Sequence, residues 1–177
     1  MILRCARTVL VVGLLLAGAA CGFALKERAP LPEVLASIAI QAPDPSSPLV
    51  QDLERELLAA GASLRLPNSV GASTLKIESE TGERNVISLD DRAKVGEYEL
   101  RYRVVYAVDG ANAEVLLRST PVELSRVYSF DEQQAIGAAQ EEEIIRTELR
   151  RDAVRMIMEH LRRVREPRSS RGSALAR

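Results

Sequence analysis

The residue best placed for covalent chemistry is Cys21, which directly follows the small residues Ala17-Gly18-Ala19-Ala20. Upstream, Arg4 and Arg7 precede an uncharged run from Thr8 to Ala20, and no acid occurs in the first 20 residues. Two positive charges, an apolar stretch too short to span a bilayer comfortably and small residues before a cleavage point describe a secretory signal over residues 1–20. With a cysteine at that point, the pattern looks like a bacterial lipobox. There the thiol is diacylated, the signal is removed and the new α-amine is acylated. Several acyl chains on one residue exceed the threshold at which a single chain gives only marginal, reversible membrane binding. Cysteine usage agrees: of the 2 cysteines, Cys5 leaves with the signal, and Cys21 alone has no partner for an internal disulfide. Gly22 follows the cysteine, where an Asp would be the usual inner-membrane retention signal. The expected location is therefore the outer membrane, lipid-anchored, with the body on the periplasmic side.

Other reactive groups are few. The single histidine, His160, stands among arginines on a late helical turn and reads as a solvated helix residue. A Ser-His-Asp or Cys-His arrangement would have to use it, and the only mature cysteine is acylated. No HExxH, CxxC or spaced Asp loop suggests a metal. Gly82, Gly96 and Gly110 fall in hairpin-like contexts, not in a strand-to-helix phosphate loop. Asp90-Asp91 reads as a pair of solvated turn residues. The expectation is a protein that is not an enzyme and has no cofactor beyond the covalent lipid on Cys21.

Composition narrows the partners. Removing 20 of 177 residues leaves 157, about one domain. The signal takes two of the 24 basic residues and none of the 25 acids, so the mature chain is acidic by about three charges, which argues against nucleic acid. Aromatics make up 3% and Trp is absent, so an aliphatic core between helices and a sheet is expected.

The elements that must position these residues follow from periodicity. A short apolar segment over 34–40, bounded by Pro32 and Pro43, predicts a first strand. Leu49, Leu53, Leu57 and Leu58, followed by Gly61, predict a helix of about three turns with a glycine stop. A strand over 74–80 completes a right-handed crossover. Tyr98, Leu100, Tyr102, Val104, Tyr106 and Val108 alternate with Glu97, Glu99, Arg101 and Arg103. This predicts a strand with one core-facing side. Asp109-Gly110 predicts a hairpin turn and 114–128 its partner strand, which Pro121 confines to an edge or a bulge. A last helix opens near Asp131, with Gln134 in a capping-box position. It carries Ile145, Leu149, Ala153, Ile157 and Leu161 as its apolar stripe, with Met156 and Val164 alongside. Its Glu141–Glu143 and Arg162, Arg163 and Arg165 complement the helix dipole, and Glu142 and Arg146 form an i,i+4 pair. The expected fold is α+β in the order β-α-β-β-β-α. It is a two-layer sandwich of about four strands in a mixed sheet, with two helices on one face. The body would be a single domain over 21–165, and 166–177 would be a disordered basic tail.

Placed in order, these segments resemble the LptE family of outer-membrane lipopolysaccharide-assembly lipoproteins. The likeness runs from Cys21-Gly22-Phe23 and Leu25 through Leu31-Pro32, Ile38-Ala39-Ile40 and Pro48-Leu49 to Gly61. It continues with Gly96-Glu97-Tyr98-Glu99-Leu100, Arg126-Val127-Tyr128, Gln140-Glu141-Glu142 and Asp152-Ala153. The resemblance implies a non-enzymatic plug for the LptD β-barrel that helps the barrel assemble and assists insertion of lipopolysaccharide at the outer leaflet. Lipopolysaccharide phosphates need Lys or Arg, and the best local candidates for that contact are Arg92 and Lys94, in the loop before the Glu97-Tyr98 strand. The alternative is a generic periplasmic lipoprotein adaptor of another envelope lipid-trafficking system.

Overall fold

The computed structural model describes residues 30–89, 91, 94–130 and 135–165. The expected signal, Cys21, Arg92, the helix start at Asp131 and Gln134, and the basic tail lie outside the described residues. After a single 3₁₀ turn, Glu33–Leu35, come β1 (Ser37–Gln41), α1 (Pro48–Ala59), β2 (Ser63–Arg65), β3 (Ser73–Leu89), β4 (Val95–Asp109), β5 (Val115–Ser129) and α2 (Ala135–Arg163). The strands form one mixed sheet in the order β2-β1-β3-β4-β5. β1 runs parallel to both β2 and β3, whereas β3, β4 and β5 are antiparallel. The α+β class holds with five strands instead of four. The additional strand, β2, has only three residues, too few to show an alternation.

Helix α1 starts and stops where local chemistry demands. The Ser47 hydroxyl accepts the Val50 N–H at 3.3 Å, and Pro48 occupies the first turn, where its missing N–H costs nothing. At the other end Gly61 has φ +86, its N–H reaches Leu58 O, and the Ala62 N–H reaches Leu57 O. That paired pattern closes the helix and leaves a left-handed residue that suits glycine. Leu49, Val50, Leu53 and Leu57 are buried, while Leu58, one position off the stripe, is more than half exposed.

The outer half of the sheet is longer than its periodicity suggests. β3 runs to Leu89, not to Glu80, because β4 pairs with it, through irregularities after Ile77, Val86 and Ser88, as far as Leu89↔Val95. Gly82 therefore lies inside β3 and Gly96 inside β4, and of the three glycines only Gly110 is in a hairpin turn. β5 is an edge strand, as Pro121 requires, with that proline opposite Val105.

Both helices cover one face of the sheet. Leu53 and Leu57 of α1 and Ala153, Ile157, Met158 and Leu161 of α2 share a core with Ile38, Leu75, Val104, Tyr106 and Val108. Burying each large side chain contributes roughly 1.5–3 kcal/mol. On α2, Met158 is buried and Met156 is not, so the Met156 side chain lies outside the expected stripe. A second, smaller cluster joins Leu100, Tyr128 and Leu149, with Tyr98 and Ile145 packed against it. The stripe of β4 therefore faces the helices along its whole length. Arg150 Nε donates to Asp52 Oδ2 at 2.9 Å and ties α2 to α1.

Candidate functional site

The far half of β3, toward its turn into β4, is exposed along most of its length. Val86, Ile87 and Leu89 are exposed there, and Asp91 stands in the turn beyond, as expected for a solvated acid. Of the two candidate phosphate contacts, Lys94 is exposed at the foot of β4 and is not a free charge, since it has an interaction of its own. Arg92 and Cys21 fall outside the described residues.

A buried carboxylate ties this stretch of β3 to α2. Glu142 is only 9% exposed. Its Oε2 accepts the Tyr128 hydroxyl at 2.7 Å and the Arg84 guanidinium at 3.0 Å, while Arg146, one turn along the helix, pairs with Oε1. Burial pushes the Glu142 carboxyl up, but the bonds from Tyr128 and Arg84 and the charges of both arginines outweigh it. The group is held below the ordinary carboxylate range. Tyr128 is pushed up to about 12, first by burial and then by its bond to Glu142. The Arg84 guanidinium, raised mainly by the same carboxylate, lies 4.5 Å above the Tyr98 ring. Tyr98 in turn stacks on Tyr128 and meets Phe130 edge-on, with centroids 5.8 and 5.3 Å apart. Periodicity exposed the Glu142–Arg146 pair but not the Arg84 contact, which joins residues 58 positions apart.

Two openings lie among the described residues. One, of about 330 Å³, lies between the helices. Arg55 and Arg155 on its rim are ion-paired with Asp52 and Asp152 over an apolar floor that includes Val154 and Met158. The other, of about 180 Å³, lies between β3, β4 and α2, with Pro48 of α1 at its edge, and Leu100, Tyr102 and Leu149 are in its wall. The Tyr102 hydroxyl donates to Glu80 Oε1 at 2.7 Å, and burial first, then that carboxylate, raises its pKa.

His160 is not a solvated helix residue. It is half-buried, stacks on Tyr106 and shares a hydrogen bond of 2.5 Å with the Tyr106 hydroxyl through Nδ1. Burial pushes Tyr106 up to about 12, so its hydroxyl stays protonated near neutrality. Among the described residues there is no cluster of His, Cys, Asp and Glu able to hold a metal ion, and no helix is long and apolar enough to cross a membrane.

This architecture has known counterparts. Residues 35–161 match the family model LptE, described as lipopolysaccharide-assembly. The LPS-assembly lipoprotein LptE of Photorhabdus laumondii is 25% identical over 158 residues, covering 86% of this chain and 83% of that protein. Lipoprotein B from Nitrosomonas europaea, solved in solution, superposes with a TM-score of 0.64 at 26% identity, covering 80% of this chain and 90% of its own. Rare lipoprotein B from Shewanella oneidensis shares the fold, with a TM-score of 0.62 at 23% identity and coverage of 71% and 92%. The family model spans the chain from the turn before β1 to near the end of α2, so the chain belongs to the LptE lipopolysaccharide-assembly family.

Proposed function

We propose that this protein is a non-enzymatic outer-membrane lipoprotein, anchored through acylated Cys21, that plugs and helps assemble an LptD-like β-barrel and assists insertion of lipopolysaccharide. The observation that carries this reading is the family match over the whole folded body, 35–161, joined to a lipobox-like start. The physics is compatible. A plug needs a rigid body with a polar exterior, and here the core lies between one sheet face and two helices. The outer sheet face carries ion pairs such as Arg101 with Glu99 and Glu123. Lipopolysaccharide is engaged weakly, through the basic residues Arg92 and Lys94, which precede the Glu97-Tyr98 strand in the sequence.

Charge reversal at Arg92 and Lys94 together tests the lipid contact. The expected result is weaker lipopolysaccharide binding, most visibly at low salt, with barrel association retained, because screening acts most on exposed charges. Unchanged affinity at low salt would reduce both residues to solvated loop charges. Loss of barrel association would move them to the plug interface.

A further inference from the structure

We propose that the smaller opening is an anchor pocket that receives one large apolar side chain of the protein partner on which this molecule docks. The proposal rests on the reading of a β-barrel partner and adds the place where that barrel grips.

The pocket is apolar at its base and charged at its mouth. Leu100 and Leu149 at the base are each 2% exposed, and the half-buried Tyr102 ring completes the floor. Its volume of about 180 Å³ falls short of the roughly 300–1,000 Å³ usual for small-molecule sites, so it suits a side chain better than a whole amphiphile. Among the described residues, the mouth offers no free cation to a phosphate: Arg146 is paired with Glu142 and Arg150 with Asp52, while Arg101 turns its side chain to the outer sheet face, where it pairs with Glu99. Glu80, whose carboxylate accepts the Tyr102 hydroxyl, and Glu143 of α2 also line the opening and add negative charge that disfavours an anionic occupant. An apolar, aromatic-floored pocket inside a ring of charged residues is the arrangement that protein interfaces use for their strongest anchors.

Gly82 supplies the independent observation. It sits inside β3 directly opposite Tyr102, where a glycine weakens a strand. The backbone does not require it, because the positive-φ glycines are Gly61 and Gly71. Space does not require it either: an added Cβ would meet nothing closer than Tyr102 Cδ2 at 4.0 Å, an ordinary contact. A side chain at 82 would fit the fold, and it would occupy the pocket. Cross-strand aromatics do shield glycine backbone. Here the same pairing leaves the ring beside an open cavity.

Gly82→Val in the full-length lipoprotein, co-expressed with its barrel, separates folding from docking. The variant should melt at or above the wild-type temperature, because a β-branched residue favours a strand. It should also lose barrel recovery at least tenfold in competition with wild type. Wild-type recovery by a folded Gly82→Val protein would overturn the pocket and leave the barrel partner standing. Should the variant fail to fold, a photo-crosslinking amino acid in place of Glu143, exposed on α2 beside the opening, decides the matter. A covalent product with the barrel supports the proposal, whereas no product, or a product with lipopolysaccharide alone, overturns it. If wild type itself recovers no barrel, the reading of a barrel partner and the pocket fall together.

Discussion

At the scale of single residues, Glu142 keeps its charge while nearly buried because Tyr128, Arg84 and Arg146 all donate to it. Its folded pKa is depressed, so its contribution to stability is fully present above the unfolded value of about 4.3 and is lost as pH falls through the folded value. Glu142→Ala should lower stability by about 1.5–3 kcal/mol at neutral pH, the usual worth of hydrogen bonds to a charged group, and flatten the acid limb of the stability profile. Chemical denaturation at several pH values checks this. A variant with an unaltered acid limb would show that the depressed pKa has no energetic consequence. Only part of this cluster was legible in the sequence. The Glu142–Arg146 pair lies at helical spacing, but Arg84 and Tyr128 arrive from distant strands, and no local pattern encodes that meeting. His160 is a similar case, since its contact with Tyr106 spans 54 positions.

Elements were legible wherever one face is buried and the other is wet. The alternation from Tyr98 to Val108, the Leu49–Leu53–Leu57 stripe and the Leu149–Ala153–Ile157–Leu161 stripe each mark a surface that the core covers. Where that contrast is missing, the reading fell short: β2 is too brief, and the outer half of β3 is exposed on both sides and held by pairing to β4. Leu100 tests the face assignment, because it links β4 to Tyr128 and Leu149 in the smaller cluster. Leu100→Asp places an unpaired charge there and should abolish cooperative folding of the soluble domain. Circular-dichroism melting reads the outcome, and a midpoint within a few degrees of wild type would contradict the packing described. The helix stop is a milder probe. Gly61→Ala should cost about 1 kcal/mol, because φ +86 strains any residue with a Cβ.

For the whole molecule, the sequence order of strands and helices gives the α+β class, and one core joins both helices to one face of the sheet. The central claim, a plug inside a barrel, is tested most directly by extracting outer membranes in mild detergent with an affinity tag on the full-length protein. A plug should be recovered in a stable one-to-one complex with a large β-barrel that survives high salt, because shape and distributed contacts outlast the screening of surface charge. Recovery of the protein alone, or with an inner-membrane complex in place of a barrel, would contradict it and favour a free periplasmic adaptor.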